Sequence, residues 1–203
     1  MTSRLTTIVF SVLLLAGIAL ATQRTDYVTE EEEDLIRDAQ GLKMRVPVYL
    51  KLLDNRILAL GLRERTARER EQTKKDIAEY EREKKEIEKF KVENAELRAK
   101  PLDPNIYLRN TPRAELLRGY MQIIDESLDN IDDAFEQHLE VREYIESLEK
   151  FASEQLPRLR KLEAKTSAES SALKATLSHS EQAIEDLRNA LKTLPKTEKK
   201  SSK

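Results

Sequence analysis

Along this chain apolar side chains recur at steps of three and four residues, the spacing that gathers them on one side of an α-helix. Past an apolar N-terminal block, the first stripe runs through Tyr49, Leu50, Leu53, Ile57 and Leu60. A second takes in Thr73, Ile77, Tyr80, Lys84, Ile87, Phe90, Asn94 and Leu97, with steps averaging about 3.5 residues, the coiled-coil period. The strongest is Leu117, Met121, Ile124, Leu128, Ile131 and Phe135, and beyond His138 the register drifts to Val141, Ile145, Leu148 and Ala152. Leu173, Leu177, Ile184, Leu187, Leu191 and Leu194 form the last. These stripes predict an all-α protein.

Start and stop signals divide it. Thr29 followed by Glu30, Glu31 and Glu32 reads as a capping box, with acids also complementing the positive end of a helix dipole. Gly41 suits the C-terminal cap of that short helix, so residues 22–45 become a short N-terminal helix and linker. Pro47 fits a first helical turn, and Gly61 is expected to loosen the following helix without ending it. Residues 46–100 therefore predict one long charged helix. Pro101 and Pro104 break it, giving a turn over 101–111. Thr111 as cap and Pro112 in the first turn restart a second long helix over 112–165, kinked or broken near Pro157. A C-terminal helix over 166–194 follows, then a disordered basic tail over 195–203.

The expected architecture is an elongated antiparallel helical bundle, or a coiled-coil hairpin, of about three long helices. Folded about 101–111, residues whose numbers sum to about 211 would face one another, since two stripes of one period can run side by side. Phe90 would meet Met121, Ile87 would meet Ile124, Tyr80 would meet Ile131 and Ile77 would meet Phe135; these eight are the candidate helix-packing residues. Between residues 63 and 76 the apolar stripe nearly vanishes, so that segment is expected to be exposed and is the candidate partner surface.

Composition sharpens this picture. Charged residues make up 36% of the chain and aromatic residues 5%, which suits narrow buried stripes rather than a thick core. Arg4, the apolar run over 5–20 and the closing Ala19-Leu20-Ala21 read as a signal peptide over 1–21. The alternative is an uncleaved N-terminal membrane anchor, for which the run is short. Removing 1–21, which holds Arg4 and no acid, takes the formal charge from −2 to −3. A pI near 5.9 offers no general attraction to nucleic acid. The chain has no cysteine, so stability in an exported, oxidising setting must come from helix packing, and thiol chemistry is excluded. No stable membrane insertion is expected after signal cleavage.

Candidate chemistry is sparse. Asp125, Asp129, Asp132 and Glu136 share one helical face with Asp133 and His138 nearby, a set of oxygen ligands that could gather a divalent cation. A solvated face beside the apolar stripe explains the same acids. His138 and His179 are the only histidines, and Phe135 and Thr176 stand where a ferritin-like Glu-x-x-His pattern would need glutamate. Ser167, Ser170 and Ser171 lack a nucleophile elbow, and no glycine-rich phosphate loop is present. No catalytic residue and no cofactor are therefore assigned. The Asp38-Ala39-Gln40 region and the stretch 120–135 resemble uncharacterised exported helical proteins of bacteria, a resemblance that implies export and helices and brings no activity.

The reading is a non-catalytic exported scaffold or protein-interaction bundle, periplasmic or extracellular, that binds a protein partner or itself. The alternative is a helical sensor or carrier of a divalent metal held by the acidic face around Asp125–His138.

Overall fold

The structure, a computed structural model, describes residues 27–90, 107, 108 and 110–195. The expected signal peptide, most of the 101–111 turn, the basic tail after Pro195 and the side chains of Tyr80, Ile87 and Phe90 lie outside the described residues. Among the described residues there are six helices and no strand, as the all-α expectation requires. They are α1 Glu30–Asp38, α2 Leu42–Ala59, α3 Ala67–Phe90, α4 Arg113–Glu136, α5 Arg142–Leu159 and α6 Ser167–Thr193. Among the described residues, none is long and apolar enough to cross a membrane.

Three helices start on the same device. At α1 the Thr29 hydroxyl accepts from the Glu32 amide at 3.4 Å and the Glu32 carboxylate accepts from the Thr29 amide at 3.2 Å, the expected capping box. Thr66 and Glu69 repeat it at α3, at 3.2 and 2.7 Å. At α6 the Thr166 hydroxyl takes the Glu169 amide at 3.1 Å while the Glu169 carboxylate takes the Lys165 amide at 2.7 Å. Each satisfies amides that a helix start leaves without partners. At α4 the cap position falls on Pro112, and the Thr111 side chain makes no capping bond.

Two joints divide what periodicity alone reads as continuous helix. Gly61 does end α2: it takes a φ of 74°, its amide bonds Leu58 O and the Leu62 amide bonds Ile57 O, the paired closure of a Schellman motif. The described part of the expected 46–100 helix is thus two helices, and α2 begins at Leu42, which puts Pro47 inside it. The same closure follows α4, where the His138 amide bonds Phe135 O and the Leu139 amide bonds Ala134 O. Here His138 itself holds the left-handed position, with φ 61°. The second break therefore lies at 137–141, and α5 runs through Pro157 before ending at Leu159. The drift of register past His138 marks this joint.

Four helices share the core in a ring of contacts: α2 with α4, α4 with α6, α6 with α5 and α5 with α2, while α1 covers α2. Arg45 lies opposite Asn130, Tyr49 opposite Glu126 and Arg56 opposite Gly119, so every step forward along α2 is a step back along α4. Arg113 to Glu169 and Thr176 to Leu117 O set α6 alongside α4 in the same sense. On α6 the buried positions facing the bundle include Ala172, Thr176, Ser180 and Ala183, small side chains that let a helix approach closely. The Arg142 guanidinium closes the far end, donating to Leu191 O at 2.8 Å and Pro195 O at 2.8 Å, carbonyls the end of α6 leaves open.

The partner of α4 is α2, not the 67–90 helix. The anticipated facing pair Ile77 and Phe135 are 38% and 55% exposed, and among the described residues α3 has no substantial interface with another helix. Ile124 and Ile131 are buried and Met121 is half-buried, but against a core built by other elements. Because α4 is flanked by both α2 and α6, its buried set widens to Leu116, Leu117, Tyr120, Ile123, Ile124, Ser127, Ile131 and Ala134. That wide face rotates Phe135 out to solvent.

Candidate functional site

A buried ion pair organises the N-terminal end of the bundle. Arg56 falls on the apolar side of α2, three residues after Leu53, and its guanidinium meets Glu32 through two bonds of 2.7 Å. Both side chains are at most 2% exposed. Arg56 also donates to Tyr27 O at 2.7 Å and Leu52 O at 3.2 Å. Glu32 therefore caps α1 and ties it to α2. The guanidinium needs room on the α4 side, and Gly119 gives it: a Cβ there would lie 2.9 Å from Arg56 Nε and 3.1 Å from Tyr27 O.

Beside this pair, an open groove of about 880 Å³ separates the segment before and along α1 from α4. Tyr27, Val28, Glu33, Ile36 and Arg37 line one wall; Gln122, Asp125, Glu126, Asp129, Asp132 and Asp133 line the other, with Arg45 between. The two arginines are engaged elsewhere. Arg37 pairs with Asp34 at 2.7 Å, and Arg45 donates to Ala39 O and Asn130 at 3.1 and 2.8 Å. The α4 wall keeps its like charges together, and its carboxyls show it. Burial first, then the charges of Asp129, Glu136 and Asp133, push the Asp132 carboxyl above the usual range. Asp125 is raised by burial and by Asp129, against the opposing pull of His179.

The metal-ligand candidates are not brought together. Asp125 faces His179 Nε2 at 2.9 Å, an ion-pair distance without hydrogen-bond alignment. His138 sits past the end of α4 in the left-handed turn, away from His179. Among the described residues no three acidic or histidine side chains converge as a metal site. What the acids do jointly is set a negative wall.

The other feature is α3. Its 24 residues are mostly solvent-exposed where their side chains are described, yet its base is fixed. Arg63 donates from Nε to Asp54 at 2.7 Å and from Nη2 to the second Asp54 oxygen; it reaches Glu69 at 2.9 and 3.1 Å, and Glu64 O at 3.1 Å. One guanidinium thus links the end of α2 to the capping glutamate of α3. Its bonds, with those of Thr66, hold the Glu69 carboxyl down at about 2. Periodicity missed this joint because its signal is a Thr-x-x-Glu after a glycine. It missed the Arg56–Glu32 pair too, although an arginine on an apolar stripe and a glycine inside the strongest helix both point to a buried polar contact.

Compared with family models, with curated proteins and with solved structures, this chain finds no match.

Proposed function

We propose that this protein is a non-catalytic, exported scaffold or protein-interaction module, a helical bundle that presents α3 to a protein partner or to another copy. The observation that carries the reading is α3 itself: a charged 24-residue helix that adds little to the core but is held at its base by the Arg63 joint. Built mostly from strong helix formers, α3 does not need a broad buried face to stay helical, so an anchored base with open faces suits recognition better than core-building. The Lys75–Glu71 and Arg82–Glu79 pairs on it are exposed and contribute only tenths of a kcal/mol. Export is supported by the apolar run over 5–20 with its small-residue close.

Placing a photoreactive amino acid at Gln72 and, as control, at Lys150 tests this in living cells. The proposal expects a discrete crosslinked species from Gln72 that Lys150 does not give. Its mass separates a second copy of the chain from a different protein. No adduct, or the same adducts from both positions, overturns it.

A further inference from the structure

Among the described residues four large apolar side chains stand exposed: Met44, Ile77, Phe135 and Leu139. Ile77 is on α3, and the other three lie at the end of the bundle where α2 begins and α4 gives way to α5. Helical spacing sets Asp132 and Glu136 beside Phe135, on the side away from buried Ile131 and Ala134, and both acids are exposed. Glu140 and Glu143 follow, exposed as well. Arg142, the lone arginine or lysine over 131–146, is spent on the open carbonyls of α6. This end of the bundle is therefore an apolar patch with an acidic rim. On α3 the same spacing puts Lys74 one turn before Ile77 and Arg70 two turns before, both exposed. Arg70 is held only by exposed contacts, to Glu64 at 3.3 Å and Arg65 O at 3.1 Å, and surface pairs of that kind exchange at little cost. The basal half of the Ile77 face is thus an apolar side chain with a cationic rim.

These two patches do not meet within one chain. The Arg63 guanidinium ties Glu69 to Asp54, and Asp54 stands level with Met121 on α4, as the opposition of Arg56 to Gly119 and of Tyr49 to Glu126 requires. From Glu69 to Ile77 is about 12 Å of helix, whereas from Met121 to Phe135 is about 21 Å, so even an α3 laid straight back along the bundle leaves them apart.

We propose that α3 of a second copy covers this end of the bundle, with Ile77 against Phe135 and Leu139, and Arg70 and Lys74 against Asp132 and Glu136. The assignment rests on the reading of α3 as a presented helix and names its partner. Burial of the apolar side chains supplies affinity, and the opposite charges of the two rims fix which surface α3 selects. The match of stripes that the sequence offers between Ile77 and Phe135 is thereby used between chains rather than within one. Because the two surfaces are different parts of the chain, each copy both gives and receives, and reciprocal contact closes a pair.

The chain holds no cysteine, so single introduced ones report contact. Two differently tagged versions of the full sequence, Ile77→Cys and Phe135→Cys, are co-expressed and joined in cells with a short bis-maleimide. The expected result is a species of two chains carrying both tags, more abundant than either same-tag pair. Adding Asp132→Lys and Glu136→Lys to the Phe135→Cys chain should lower it about fivefold. Adding Arg70→Glu and Lys74→Glu to the Ile77→Cys chain should then restore it, a recovery that a folding defect does not give. Mixed and same-tag pairs in equal amounts, no loss on charge reversal, or no recovery overturns the proposal. Capture of a different protein from Gln72 with no mixed species overturns the second copy alone. No capture from Gln72 and no mixed species removes the reading beneath it as well.

Discussion

At the scale of single residues, two positions set local conformation against helix propensity. Gly119 lies inside α4, where alanine ordinarily gains about 1 kcal/mol over glycine. Its Cβ would meet the Arg56 guanidinium at 2.9 Å, and that group is held by both Glu32 oxygens. Gly119→Ala is therefore expected to destabilise, by about 1–3 kcal/mol in urea unfolding, as overpacking does; a stabilised variant would contradict the close approach. His138 is the opposite case, a side chain in the left-handed position that glycine prefers. His138→Gly should raise stability by about 1 kcal/mol in the same assay. The Arg56–Glu32 pair gives a third test. Removing either partner strands a buried charge and is expected to cost about 3–5 kcal/mol, whereas replacing both with methionine should recover most of the loss.

At the scale of elements, the chain's own punctuation carried much of the information. Thr29 with Glu32 marks α1, and the apolar positions Val141, Ile145, Leu148 and Ala152, all buried, form a stripe legible in the sequence that marks α5. What could not be read was which glycine or polar residue stops a helix. Gly61 adopts a left-handed φ and His138 does too, and the drift or fading of the stripe beyond each shows that something changes there without naming the residue that stops the helix. The pairing of helices was equally hidden, because α2 and α3 both offer amphipathic faces of suitable period to α4. The choice is made by contacts such as Arg45 to Asn130 and Tyr49 to Glu126, whose partners are 85 and 77 residues apart. The acidic face of α4 was legible as a row of carboxylates, but the wall opposite it, built from Tyr27, Val28 and Ile36, was not.

The joint between α2 and α3 gives a pH prediction. Glu69 has a folded value of about 2 against an ordinary 4.5, set first by its bonds to Arg63 and Thr66. A carboxyl depressed in this way contributes stability that is present above 4.5 and lost as pH falls through 2. The Thr66 and Glu69 amides at the start of α3 should therefore keep their exchange protection at pH 4 and lose it towards pH 2. Loss of that protection already between pH 5 and 4 would show that Arg63 does not hold Glu69.

At the scale of the whole molecule, among the described residues four helices and the short α1 share the buried core, and α3, fixed at its base, contributes no buried residue to it. That division is the account's central claim, since the proposed function needs α3 both open and anchored. Hydrogen exchange tests it most directly, because local opening and global unfolding give different free energies in one experiment. Amides of 70–90 are expected to exchange by local opening, well below the free energy of global unfolding. Core amides of α2 and α4, such as Leu53 and Ile124, should exchange only through global unfolding. Protection along α3 equal to that along α4 would contradict the account, for it would place α3 inside the cooperative core.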